Sequence, residues 1–222
     1  MTDISRAHWH KPHKGENRLS VSSVVVFVIA LQFLLPRDLS LGIQYYICAL
    51  EALLLIVLVA LNPSRIGTHH PPTRNLSLVL TSVMTFSNTA SAIKLIDGLV
   101  NGKIEDANQL LISGGSIWIA NIVIFSLWFW ELDRGGPGAR AEARKPVPDF
   151  LFPQMSSPEY SQKGWHPIFF DYLYISLTNA SAFSPTDTAP LSRWAKLLMM
   201  MQSITSLVTV GLVIARAVNI LK

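Results

Sequence analysis

The sequence predicts an all-α integral membrane protein, a polytopic helical bundle with six membrane segments. Half of the 222 residues are hydrophobic and only 14% are charged, whereas soluble domains average about 25% charged residues. The hydrophobic residues fall in blocks of roughly 17 to 25, the length of helix that crosses the hydrocarbon core of a bilayer. The basic residues lie in short loops beside these blocks, where such residues set membrane orientation.

Five of the predicted segments are clear spans, and one is short. In chain order the segments are 19–35, 43–61, 76–99, 110–130, 167–183 and 194–221. The best apolar stretch of segment 167–183 is only about 15 residues long and contains Asp171, so this segment either crosses while packed inside protein or enters and returns.

Hydrophilic stretches divide the chain further. The predicted parts are a basic cytoplasmic tail (1–18), a four-helix transmembrane region (19–130), a cytoplasmic linker (131–165) and a pore-like hairpin (166–222). The tail contains His8, His10 and His13, but no carboxylate or thiol accompanies them at fixed spacing. We therefore predict a disordered tail and no metal site.

The basic residues predict a cytoplasmic N-terminus. With six crossings, the cytoplasmic side holds Arg6, Lys11, Lys14, Arg18, Arg65, Arg74, Arg134, Arg140, Arg144, Lys145, Lys163 and Lys222. Only Arg37, Lys103, Arg193 and Lys196 then lie outside, which is a strong positive-inside bias. If 167–183 re-enters instead, the C-terminus moves outside with Arg216 and Lys222. The charge count favours six crossings and also explains the net charge of +4 without a nucleic-acid partner.

Enzymes are the least supported class of function. The chain contains none of the HExxH, GxSxG or P-loop motifs and no paired carboxylates at helical spacing. Its single cysteine, Cys48, rules out a disulfide framework and a CxxC metal site. We predict no catalytic residues, no cofactor and no metal.

Two charged residues lie within predicted spans, where ionisable groups are functional candidates by default. Adjacent antiparallel helices carry Glu51 and Lys94 towards the same side. One hypothesis is an intramembrane pair or ion-coordinating site. The other is that Glu51 is hydrogen-bonded to its neighbours and fixes packing, while Lys94 extends outward.

Polar residues in the last two segments allow similar alternatives. Asp171 lies near the start of its helix. A carboxylate there either caps the helix or belongs to a functional site. Gln202, Ser206 and Thr209 recur at helical spacing on one face. That face either lines an aqueous path or makes interhelical hydrogen bonds.

The chain from Ser176 to Arg193 resembles the pore hairpin of the tetrameric potassium-channel superfamily. The sequence DYLY at 171–174, followed by Leu177 and Thr178, is similar to the end of a pore helix, and PLSR at 190–193 is similar to the corner that starts the inner helix. The resemblance implies a homo-oligomer in which this hairpin and the last helix line a path for an ion or small solute.

The filter-like positions of this hairpin are Asn179, Ala180, Ser181, Ala182 and Phe183, and none is glycine. A potassium filter turns backbone carbonyls inward with the help of glycine. We therefore predict that the path is not potassium-selective. Asp187, in the following turn, either attracts cations to a vestibule or stabilises the turn.

The phrases ELDRGGP (131–137) and AFSPTDTAPLSRWAK (182–196) resemble a family of small bacterial integral membrane proteins. This resemblance implies a multi-pass protein of the bacterial inner membrane and assigns no activity. The sequence thus predicts a channel-like or permease-like protein. The alternative is a non-conducting scaffold or accessory subunit that binds a cytoplasmic partner through linker 131–165.

Overall fold

The computed structural model describes residues 8–102, 106–182 and 187–220, and its main elements are α-helices. They are α1 (Arg18–Phe33), α2 (Gln44–Leu61), α3 (Pro71–Val100), α4 (Ala107–Leu132), α5 (Pro137–Ala141), α6 (Pro153–Ser156), α7 (Phe169–Ala182) and α8 (Arg193–Ile220). Two antiparallel pairs of two-residue strands join distant parts of the chain. They are β1 (Glu16–Asn17) with β2 (Arg65–Ile66), and β3 (Phe150–Leu151) with β4 (Ala189–Pro190).

Side chains and prolines at the helix starts explain where the helices begin. The Asn17 side chain accepts a hydrogen bond from the Leu19 amide at 3.0 Å, and that of Asp106 accepts one from the Asn108 amide at 2.8 Å. Each carboxylate or amide oxygen satisfies an N–H that has no partner within its helix. Proline begins α3 and α5, where a missing N–H costs nothing.

The long helices alternate in direction around α4, which is the most buried of them. Helices α1, α3, α7 and α8 begin at the end of the bundle where α2 and α4 finish, and we call this the linker end. The opposite end, where α8 finishes beside α4, is the far end. There the side chain of Val213 on α8 packs against Gly114 on α4.

Helix α7 has only half the height of the bundle. It starts at the linker end, where the ring of Phe169 lies 6.0 Å from that of Trp130. It finishes near the midpoints of α4 and α8, because the Ser206 hydroxyl donates to the Ala180 carbonyl and accepts from Trp118, both at 2.6 Å. At about 1.5 Å per residue, its 14 residues span roughly 21 Å, which is less than the ~30 Å of a bilayer core.

The chain returns to the linker end after α7. Pro190 pairs with Phe150, and the Leu191 amide donates to the Asp149 carbonyl at 2.8 Å. Helix α8 therefore starts at the same end as α7. The prediction of six full crossings is not confirmed, and the arrangement agrees with the alternative in which 167–183 enters and returns. Charge counting could not exclude this arrangement, because re-entry moves Arg216 and Lys222 outside but moves Arg193 and Lys196 inside, so the basic bias changes little.

The N-terminal segment and the linker pack onto the bundle. Trp9 and Glu16 are buried, and the His13 amide donates to the Ala141 carbonyl at 3.0 Å. The prediction of a disordered tail is therefore wrong from residue 8 onward. In the linker, Phe150 and Phe152 are buried against Tyr172, at ring distances of 6.3 and 5.5 Å.

Length and apolar composition identify four helices that can cross a membrane: α2, α3, α4 with its extension to Gly135, and α8. Helix α1 is also apolar but is shorter, at 16 residues. Large apolar side chains such as Leu53, Ile56, Phe86 and Leu207 are more than half exposed on these helices. An all-α bundle with an apolar outer surface is compatible with an integral membrane protein.

Two adjacent glycines of α4 provide a test of the α4–α8 contact. A Cβ on Gly114 would lie 2.6 Å from Val213 Cγ2, whereas a Cβ on Gly115 would meet nothing within 4 Å. Because valine is stiff at χ1, Gly114→Ala is expected to lower the free energy of unfolding in detergent by about 1–3 kcal/mol through overpacking. The matched control, Gly115→Ala, should raise it by up to about 1 kcal/mol through helix propensity. Equal effects of the two substitutions would contradict this packing.

Candidate functional site

The interface of α4, α7 and α8 contains a chain of hydrogen-bonded polar side chains. Gln202 Nε2 donates to the carbonyl and hydroxyl oxygens of Ser176 at 3.0 and 2.6 Å, and its Oε1 accepts from Asn179 Nδ2 at 2.8 Å. Ser176 in turn donates to the Ile122 carbonyl of α4 at 2.6 Å. These contacts fix the height of α7 against both longer helices.

This polar chain is buried within the protomer. Gln202 and Ser206 are fully buried, Asn179 is 2% exposed and Thr209 is 3% exposed. The face predicted from Gln202, Ser206 and Thr209 therefore exists, and it packs against protein. Of the two alternatives, the geometry fits interhelical hydrogen bonding.

The other filter-like positions separate into two groups. Ala180 is buried, and Thr178 donates to the carbonyls of Tyr174 and Ile175 in its own helix. Ser181 and Ala182, in the last turn of α7, are exposed, as is Asp187 on the returning chain. Phe183 lies outside the described residues.

Glu51 and Lys94 do not contact each other. Glu51 is fully buried, and with the Gln32 amide turned to face it, Gln32 Nε2 donates to both of its carboxylate oxygens at 3.0 and 3.1 Å. Lys94 Nζ donates instead to the Ser40 carbonyl at the far end. The geometry fits the packing hypothesis for Glu51 and the extended position for Lys94.

Asp171 caps α7. Its Oδ2 accepts a hydrogen bond from the Ile168 amide at 2.8 Å. In this contact a side chain in the first turn of the helix binds the backbone of the residue just before the helix, which is one half of a capping box. The capping alternative thus agrees with the structure.

A buried charge network at the linker end was missed by the sequence reasoning, and Glu16 is its centre. Its Oε1 accepts from Arg140 Nη2 at 3.0 Å, and its Oε2 accepts from Trp130 Nε1 at 2.9 Å and from the Phe169 amide at 2.8 Å. The Arg140 and Glu16 side chains are 1% and 5% exposed. Arg140 also donates to the carbonyls of Trp130 and Asp133 at 2.6 and 3.0 Å.

Asp133 extends this network to α7 and the linker. Its carboxylate accepts from the Tyr172 hydroxyl at 2.6 Å and from the Asp149 amide at 2.9 Å. Asp149 accepts in turn from the Arg134 amide and from Trp194 Nε1, both at 2.9 Å. Three helices and the linker therefore meet through Asp133, which is buried, and Asp149, which is half-buried.

The phrase ELDRGGP was the available signal for this network. Sequence reasoning assigned its glycines to helix termination, although it contains Glu131, Asp133 and Arg134 within seven residues. Gly138, which directly follows this phrase, also permits close packing: a Cβ there would lie 2.4 Å from the Thr68 carbonyl oxygen. The partner residues of the phrase, Glu16 and Asp149, are distant in sequence, so spacing alone could not identify them.

Two histidines connect the N-terminal segment to the start of α7. The rings of His13 and His166 stack at a centroid distance of 3.7 Å, and His13 Nδ1 accepts the Gly15 amide at 3.1 Å. Burial first, and then the neighbouring positive charges of His166 and two arginines, lowers the pKa of His13 from 6.5 to about 4. Among the described residues, no group of three or more histidine, cysteine, aspartate or glutamate side chains has the arrangement of a metal site.

Comparisons of this chain with protein-family models, with curated proteins and with solved structures find no match.

Two nearby arginines provide a test of the charge network. Arg140→Met leaves Glu16 buried without its ion-pair partner and is expected to destabilise the protein by about 3–5 kcal/mol. Arg144 is the matched control, since its side chain is 53% exposed and pairs only locally with Glu142. Arg144→Met should change the free energy of unfolding by less than about 0.5 kcal/mol. Chemical unfolding in detergent measures both, and similar effects would contradict a special role for Arg140.

The His13 environment predicts a pH dependence of stability. Between pH 6.5 and 4 the unfolded chain binds a proton at His13 that the folded chain does not. The contribution of His13 is therefore fully present above pH 6.5 and is lost as the pH falls towards 4. In a pH series of unfolding measurements, His13→Gln should flatten this part of the profile. An unchanged profile would show that His13 does not titrate in this way.

Proposed function

We propose that this chain is a multi-pass membrane protein whose linker end faces the cytoplasm. Helices α1, α2, α3, α4 and α8 cross the bilayer, and α7 enters from the cytoplasmic side and stops halfway. The basic residues support this orientation. At the linker end lie Lys11, Lys14, Arg18, Arg65, Arg74, Arg134, Arg140, Arg144, Lys145, Lys163, Arg193 and Lys196, whereas the described basic residues of the far end are Arg37, Lys94 and Arg216.

The proposed activity is that of an oligomeric channel-like or permease-like protein, and the half-height helix α7 is the observation that supports it. The last four carbonyls of a helix have no partner within the helix. Ser203 and Ser206 donate to those of Asn179 and Ala180, while Ser181 and Ala182 are exposed at the middle of the bundle. Such an end is tolerated at membrane depth only where protein buries it or water surrounds it.

The path for an ion or small solute then runs along the exposed side of α7, between copies of the chain. It does not run through the protomer along Gln202 and Ser206, because both side chains are buried in hydrogen bonds. Ser181, Ala182 and Asp187 are the described residues that line it. The absence of glycine from 179–183 supports a path without potassium selectivity.

The alternative role as a non-conducting scaffold has less support. That hypothesis uses linker 131–165 as a docking surface for a partner, but much of the linker packs on its own bundle. Phe150 and Phe152 are buried, and β3 pairs with β4. The linker surface left for a partner is correspondingly smaller.

Three cysteine substitutions at similar depth test the proposed path, made in a Cys48→Ala background. Ser181→Cys is exposed beside the path, Phe86→Cys is exposed on the apolar surface of α3, and Ser206→Cys is buried. We expect a membrane-impermeant thiol reagent to label only position 181, because thiolate forms in water and not in lipid or a dry interface. Absence of labelling at 181, in protein shown to be folded and inserted, would contradict a water-filled path there.

Flux through liposomes containing the purified protein tests conduction itself. Modification of Ser181→Cys should reduce flux, whereas the same treatment of Phe86→Cys should leave it unchanged. If neither cations, anions nor protons cross, the conduction proposal is wrong and the scaffold role becomes the better account.

A further inference from the structure

A small cavity lies at the linker end, apart from the α7–α8 interface. It is lined by the start of α1, the second half of α2, the start of α3 and the end of α4, together with residues within 66–70 and 135–138. Its volume is about 40 Å³, roughly three times the ~10–15 Å³ that a single water requires. A group the size of a small oxyanion therefore fits.

Buried polar atoms without partners line this cavity. Arg18 is 8% exposed, and its Nε has no hydrogen-bond partner among the described residues. The same is true of Arg74 Nε, Ser22 Oγ and Glu131 Oε2. Buried polar groups in native proteins are nearly always satisfied, and a buried polar atom without a partner is costly. Four such atoms around one cavity form a set of donors and acceptors that a bound polar group would satisfy.

The charges of the lining favour an anion. Two guanidinium groups, from Arg18 and Arg74, face one carboxylate, from Glu131, whose Oε1 already accepts from the Ser77 hydroxyl. The positive ends of the α1 and α3 dipoles also lie beside the cavity, since α1 begins at Arg18 and α3 at Pro71, and they offset the negative ends of α2 and α4. Guanidinium groups present a planar set of donors that matches the oxygens of phosphate.

The backbone around the cavity leaves room for these groups. Gly136 has φ +97°, and a Cβ there would lie 3.0 Å from the Glu131 carbonyl oxygen and 3.3 Å from Arg74 Nε. The remaining lining includes apolar side chains, such as Val25 of α1 and Leu58 of α2, and polar ones between α2 and α3, such as His69 and His70. The cavity thus offers polar groups to a charged ligand and, from α1 and α2, apolar side chains to an attached hydrocarbon.

We propose that this cavity binds a phosphate-type oxyanion, held by Arg18 and Arg74, either as the free ion or as the phosphate of a lipid headgroup. The two sources share the same recognition chemistry. The apolar lining accommodates the attached chains in the second case. This inference does not rest on conduction, so an absence of flux would leave it unaffected.

The test measures binding to the full-length protein in two separate arms. The first titrates inorganic phosphate into detergent-purified protein and follows heat and thermal stability. The second compares nanodiscs of phosphatidylcholine alone with nanodiscs that contain phosphatidic acid, and detects retained lipid by mass spectrometry. Binding in the first arm identifies the free ion, and selective retention of phosphatidic acid in the second identifies the headgroup.

Arg18→Gln and Arg74→Gln are each expected to weaken the observed affinity at least about tenfold, because each removes a charge-assisted hydrogen-bond donor. The matched control is Arg65→Gln, which removes an exposed arginine at the same end of the bundle and should change affinity less than about twofold. If a glutamine variant does not fold, Arg18→Lys replaces it. Lysine keeps the charge but lacks the guanidinium fork, so the same direction of change is expected.

Two results would overturn the proposal. The first is that the wild-type protein binds neither phosphate nor phosphatidic acid. The second is that Arg65→Gln weakens binding as much as Arg18→Gln, since the response would then reflect the general surface charge of the linker end.

Discussion

The buried ion pair between Glu16 and Arg140 is the interaction on which the rest of the linker end depends. Two charges removed from water need further hydrogen bonds in addition to their mutual attraction. Glu16 gains them from Trp130 and the Phe169 amide, and Arg140 gains them from two backbone carbonyls, which leaves only Arg140 Nε buried without a partner among the described residues. The pair therefore fixes four parts of the chain at once: the N-terminal segment, the end of α4, α5 and the start of α7. The Asp133–Tyr172 hydrogen bond extends this constraint along α7.

The position of α7 follows from constraints at both of its ends. At its start, the Glu16 carboxylate and the Asp171 cap satisfy the first amides. Along its length, Ser176 and Asn179 bond to α4 and α8. At its end, Ser206 holds the Ala180 carbonyl halfway along the bundle. The polar side chains that suggested a water path by their composition thus serve to support a short helix that lipid alone would not tolerate.

The two proposals place different chemistry at different depths. The exposed end of α7 lies at the middle of the bundle, where uncompensated carbonyls require protein or water. The arginine-lined cavity lies at the linker end, where headgroups meet the protein if the basic end faces the cytoplasm. Between the two apolar clusters of the core lies a polar layer that includes Gln32, Glu51 and Asn88. Glu51 belongs to this layer and is separate from both proposed sites.

The sequence by itself determined the helical class and the approximate extent of the long helices. An apolar run such as 43–61 or 110–130 can form all its backbone hydrogen bonds in lipid only as a helix. The length of the run therefore predicts the length of the helix. The spacing of Gln202, Ser206 and Thr209 also established that they share a face.

Only the tertiary structure decided what that face contacts, because helical periodicity gives no information about the neighbouring helix. The same holds for α7, whose short length allowed crossing or return until the pairing of β4 with β3 fixed where the chain goes next. It holds most strongly for Glu16 and Arg140, which are 124 residues apart and acquire their role only when folding buries them together.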